Sequence, residues 1–167
     1  MARARLLSAI VLLAAGARAA ESAAAADNCT SDFWQRPTRL RLALVRHGES
    51  ENNVHEAVSE AAYVAHREPD PALSPRGARQ AALLGAFLAD AARARFLGVH
   101  PIDELWVSPV KRTLQTAAPA AAALGLAPRV RTDCFEAGGI YDADATYTAF
   151  APRGGLTRDE MRSQFPT

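Results

Sequence analysis

Leu44-Val45-Arg46-His47-Gly48-Glu49-Ser50 ends an apolar run, residues 40–45, with an arginine, a histidine and a glycine. That order suits a buried strand that delivers two polar side chains to one edge of a sheet. The glycine then lets the backbone turn sharply or approach a ligand closely. Open α/β sheets bind ligands at the carboxyl ends of their strands. An arginine there offers a fork of donors to a phosphate or carboxylate. A histidine there serves as a base, a nucleophile or a metal ligand. The bland alternative is a histidine that merely caps a strand.

Outward from this run, strands alternate with helices. Residues 52–66 carry a loose helical pattern, broken by Glu68-Pro69-Asp70-Pro71. Ser74 and Pro75 start a helix as N-cap and first helical residue, and apolar positions recur at helical spacing to about Phe96. Residues 102–107 read as a second strand. Ser108-Pro109 repeats the start signal for a helix that runs to about Leu124, with Gly125 as C-cap. Pro119 is expected to kink that helix or end it early. Residues 130–135 read as a third strand, and Thr157 with Glu160 forms a capping box for a last helix. The alternation implies crossover units: an α/β three-layer sandwich with a mostly parallel sheet flanked by helices.

The chain has 167 residues, which suits one domain of ordinary size. Arg3 and Arg5, an apolar block at residues 6–15 and the small-x-small site Ala17-Arg18-Ala19 read as a secretory signal peptide over residues 1–19. Residues 20–38 read as a linker or N-terminal arm, and the folded part as residues 39–167. Localisation is then secreted or in the lumen of the secretory pathway. An organellar transit peptide is the alternative, because residues 1–20 contain arginines and no acid. The apolar block is too short to span a bilayer, so no membrane span is expected after signal removal. Losing Arg3, Arg5 and Arg18 lowers the basic residues from 19 to 16 against 18 acidic ones, a net charge of −2. That balance argues against a nucleic-acid partner. Cys29 and Cys134 either pair or stay as thiols. No C-x-x-C or H-x-x-x-H spacing announces a metal.

Three segments resemble signatures of the histidine phosphatase superfamily, the phosphoglycerate-mutase-like group that works through a phosphohistidine. Arg46-His47-Gly48-Glu49-Ser50-Glu51-Asn52 resembles its R-H-G-x-S-x-x-N run, with Asn52 taken as the asparagine. Residues 73–81 fit L-[ST]-x-x-G-x-x-Q-A, which reads equally as a capped amphipathic helix and supports recognition rather than chemistry. Residues 108–117 fit S-P-x-x-R-x-x-Q-T-A. That places Arg112 in the first turn of a helix, where free amides and the helix dipole favour anions. Its bland reading is an exposed helix arginine.

The resemblance implies a phosphoglycerate-mutase-like fold and a site. His47 is the nucleophile, and Arg46, Gly48 and Arg112 bind the phosphate. Glu136, in a glycine-rich loop after the third strand, is the proton donor, although such a glutamate is otherwise a solvated surface acid. Ser50 and Asn52 touch the substrate or the phosphate rim. The implied reaction is phosphomonoester hydrolysis through a phosphohistidine, with no metal and no cofactor. The substrate is a small phosphorylated molecule or a phosphoprotein. A phosphoglycerate-type mutase is the alternative.

The family also carries a second pocket histidine late in the chain, and no histidine follows His100 here. The resemblance is strong over residues 40–136 and weak beyond. The fold is therefore expected to be C-terminally incomplete, with poor or no turnover. The remaining alternative is a catalytically impaired phosphate-binding or interaction protein.

Overall fold

A computed structural model describes residues 10–16, 40–96, 98, 101–134, 139–144 and 148–165. In chain order the elements are β1 (Ile10–Gly16), β2 (Leu40–Arg46), α1 (Glu51–Val58), α2 (Glu60–His66), α3 (Pro75–Ala89), α4 (Ala91–Phe96), β3 (Glu104–Val107), α5 (Lys111–Leu124), β4 (Arg129–Val130), β5 (Tyr141–Ala143), β6 (Phe150–Pro152) and α6 (Arg158–Gln164).

The main sheet has the order β2-β1-β3-β4. β1 runs antiparallel to both its neighbours, with Val11 opposite Val45 on one side and Val107 on the other. Only β3 and β4 pair in parallel. The expected mostly parallel sheet is therefore corrected to a mixed one. β2 and β3 do run in the same direction, as a crossover connection requires, but one strand separates them. That strand is the apolar block read above as the core of a leader. Its Ile-Val-Leu-Leu run suits a pleated, two-sided pairing as well as it suits a signal peptide. The folded region thus includes residues N-terminal to the expected start at Arg39, and a cut after Ala19 would take β1 with it.

A single core joins the sheet to α3 and α5. Leu88, Leu105, Val107, Leu114, Ala117, Ala120 and Ala121 are buried together, with Ala43 and Val45 of β2 packed against them. On the opposite face of β2, Leu42 and Leu44 remain 53% and 60% exposed. A helical layer on each face is therefore not seen among the described residues. The alanines of α5 allow a close approach to α3. At Gly85 a Cβ would lie 2.8 Å from the Pro119 carbonyl oxygen.

That contact bears on Pro119, which does not end α5: the helix continues to Leu124. Packing against α3 offsets the hydrogen bond that a mid-helix proline removes. Gly125 closes the helix in the left-handed region at φ 64°. The expected single helix over residues 52–66 is two helices that meet at Ser59, which caps α2 with its hydroxyl. The third strand is two described residues long, Arg129–Val130.

Candidate functional site

β2 ends at Arg46, whose side chain is exposed, and the chain then dives inward. His47 is only 7% exposed. Its Nδ1 lies 2.6 Å from the carbonyl oxygen of Gly48. A carbonyl only accepts, so Nδ1 carries the proton. In the neutral tautomer that fits this bond, the ring's lone pair is on Nε2.

The loop that holds His47 is fastened at every residue that follows. The Gly48 N–H donates to Thr116 Oγ1 at 3.0 Å, and that hydroxyl donates onward to the Arg112 carbonyl at 2.7 Å. Thr116 therefore ties the His47 loop to the helical turn that carries Arg112. The Glu49 N–H donates to Gln80 Oε1 at 2.8 Å, and the Glu49 carbonyl accepts from the Ser74 N–H at 2.9 Å. Its carboxylate accepts from Ser74 Oγ at 2.7 Å. The two glycines facing each other here serve close approach. A Cβ on Gly48 would lie 2.7 Å from the Gly77 carbonyl oxygen, and one on Gly77 would lie 1.9 Å from the Glu49 carbonyl oxygen.

Ser50 and Asn52 are both buried. Ser50 caps α1 and forms a capping box with Asn53. Counted out, the eighth position of the R-H-G-x-S-x-x-N run falls on Asn53 rather than Asn52. Asn52 has a different task. Its amide nitrogen donates to the Glu68 carbonyl and its oxygen accepts from the Glu68 N–H, each at 2.8 Å.

Arg112 is the second residue of α5 and half-buried. Ser108 and Pro109, expected to open this helix, lie before it. The cap residue is Val110, which has no side-chain bond to give. Instead Asp70, 41 residues away in sequence, accepts the Lys111 N–H at 2.9 Å. Gln115 accepts from the Leu73 N–H at 2.7 Å, which pins the α3 entry loop to α5. Glu136 lies outside the described residues, as does Cys29. Cys134 is exposed.

Burial raises the Asp70 carboxyl above its ordinary value, against the opposing pull of the Lys111 N–H and of the Arg112 and Lys111 charges, with Glu68 adding to the rise. A carboxyl raised on folding contributes stability that is complete below its unfolded value and lost as pH rises through its folded value. Asp70→Asn keeps an acceptor for Lys111 and removes the charge. The melting temperature of this variant, followed against pH, should exceed that of the parent near neutrality. The gain should shrink towards zero as pH falls into the carboxylic-acid range.

The Thr116 bridge predicts a second outcome. Thr116→Val keeps the shape and removes both bonds, leaving the buried Gly48 N–H without its acceptor, which costs about 1–3 kcal/mol. Urea unfolding should report that loss, and Thr116→Ser should recover most of it.

Sequence reasoning singled out His47, Arg46 and Arg112 and missed the side chains that bond the segments around them: Thr116, Asp70, Gln80 and Gln115. The two glutamines and Thr116 sit inside the quoted signatures, and that is the one signal they give. The rings of His55 and His66, on α1 and α2, lie 5.3 Å apart between centroids and are tilted by 39°. Among the described residues no group of three or more His, Cys, Asp or Glu is placed to hold a metal ion. No described helix is long and apolar enough to cross a membrane.

The sequence model of the histidine phosphatase superfamily (branch 1) matches residues 42–147. No curated protein and no solved structure matches the chain.

Proposed function

The chain belongs to the histidine phosphatase superfamily (branch 1), and from that premise we propose that it hydrolyses phosphomonoesters through a phosphohistidine on His47. Membership brings phosphatase- or mutase-type chemistry and small phosphorylated substrates. The observation that supports the finer reading is the 2.6 Å contact from His47 Nδ1 to the Gly48 carbonyl, which favours the tautomer with its lone pair on Nε2.

In the proposed reaction Nε2 attacks phosphorus in line and the bond to the substrate oxygen breaks. Arg46 and Arg112 hold the equatorial oxygens, since phosphoryl transfer needs positioning and charge stabilisation above all. Gly48 contributes the close approach of backbone to phosphate. Glu136 protonates the departing alkoxide. It then takes a proton from the water that attacks phospho-His47, which releases inorganic phosphate and restores the imidazole. Ser50 and Asn52 act from beneath, by holding the loop and the segment beside it.

An aryl phosphomonoester assay tests the hydrolase reading. Release of alcohol and inorganic phosphate in equal amounts supports it. Phosphoryl transfer between two alcohols without free phosphate supports a mutase and overturns it. The proposed route is secretory, with residues 1–19 as leader; the sheet described above is then that of the precursor, and cleavage removes β1 from between β2 and β3. A secreted chain that starts at Ala20 supports that route, and one that retains Ile10–Gly16 contradicts it.

A further inference from the structure

We infer that Asp70 is a positioning residue for the phosphate pocket: it caps α5 from outside the helix and so fixes the turn that carries Arg112. The inference rests on the phosphate-site reading above and deepens it. α5 has no cap of its own, because Val110 has no side-chain bond to offer. An uncapped first turn leaves its amides without partners and frays. Asp70 Oδ1 takes the first of these amides, Lys111 N–H, at 2.9 Å. The next residue is Arg112. Its carbonyl is held by Thr116 Oγ1 at 2.7 Å, so its peptide frame is secured on both sides.

Asp70 is itself rigidly presented. It lies between Pro69 and Pro71, and Pro71 is fully buried. Each proline removes backbone freedom from the loop. One residue further back, both backbone groups of Glu68 are clamped by the Asn52 side chain at 2.8 Å. A Cβ at Gly155, in the loop before α6, would lie 4.0 Å from Asp70 Oδ2. A continuous chain of contacts therefore runs from Asn52, beside the histidine signature, through Glu68 and Asp70 to Lys111 and Arg112. This explains how a loop without a catalytic group sets the position of a phosphate ligand.

The test uses the full chain, orthovanadate as the probe and amide hydrogen exchange as a second readout. Loss of one hydrogen bond to a charged group predicts that Asp70→Ala weakens vanadate binding roughly tenfold. Asp70→Asn keeps an acceptor and should bind as tightly as the parent or more so. In an Arg112→Ala background Asp70→Ala should cost nothing further, because the two changes act through one contact. A purely structural residue would give additive losses. Asp133→Asn, a surface carboxylate paired with Arg131, serves as the neutral control.

Exchange at Lys111 should rise in Asp70→Ala and not in Asp70→Asn. Unchanged exchange there overturns the inference whether or not vanadate binds. Unchanged vanadate affinity in Asp70→Ala, with a parent that binds, overturns it too. A parent that does not bind vanadate overturns the phosphate-site reading and the functional half of the inference together.

Discussion

Whatever phosphomonoesterase activity the chain has should disappear in His47→Ala, because the proposed nucleophile and the covalent intermediate are lost together. The loss should fall on kcat, since Arg46 and Arg112 remain to bind the phosphate. Stability should change little by comparison: the Nδ1 contact to Gly48 is made to the next residue along the chain, while the loop is held from Gly48 onward by Thr116, Gln80 and Ser74. Phosphate release from an aryl phosphomonoester, measured beside a thermal melt of the same variant, separates the two effects. Activity that survives in His47→Ala would mean that another group attacks phosphorus.

The second large effect concerns a residue with no chemistry. Gly77→Ala would place a Cβ 1.9 Å from the Glu49 carbonyl oxygen, with the Glu49 carbonyl carbon and amide nitrogen within 2.9 Å. All of these are backbone atoms, so no side chain can swing aside. Either α3 backs away from the His47 loop or the loop shifts. Both routes break the Glu49 bonds to Ser74 and Gln80. Overpacking costs about 1–3 kcal/mol where side chains can yield, and a clash between backbones belongs at or above the top of that range. The urea midpoint should fall accordingly, and activity should fall with it because the same loop holds His47. Gly154, where a Cβ meets nothing within 4 Å, should accept alanine without comparable loss.

Local signals were readable in the sequence. Ser74 with Pro75, Gly125, and the Thr157–Glu160 box all sit where capping chemistry places them. Each depends on residues within a few positions of one another, and such spacing survives in a string of letters. The apolar run of residues 40–45 likewise marked a strand, which ends one residue later at Arg46. What the string did not contain is pairing at a distance. β1 takes the slot between β2 and β3, and no spacing in residues 10–16 announces a partner at 107. Thr116 reaches Gly48 across 68 positions, and Asp70 reaches Lys111 across 41. Ser108-Pro109 misled for the same reason: the local cap signal lost to a carboxylate supplied from another loop. Pro119 does not end the helix early, because propensity reasoning does not see α3, which packs against α5 at Gly85.

The candidate site is thus a set of local fragments joined by tertiary hydrogen bonds. The fragments are an arginine at a strand end, a buried histidine bonded through Nδ1 to the Gly48 carbonyl, and an arginine in the first turn of a helix. The joints between them are the bonds of Thr116 and Asp70.

The central claim is a phosphoryl group carried on Nε2 of His47. The direct measurement is to mix the chain with a phosphomonoester, quench in alkali, and locate the modification by peptide mass spectrometry and acid treatment. The predicted result is one phosphoryl group on the peptide containing His47, stable in alkali, lost in acid and absent from His47→Ala. An acid-stable phosphoryl group on another residue, or equal labelling of the His47→Ala chain, would contradict the account.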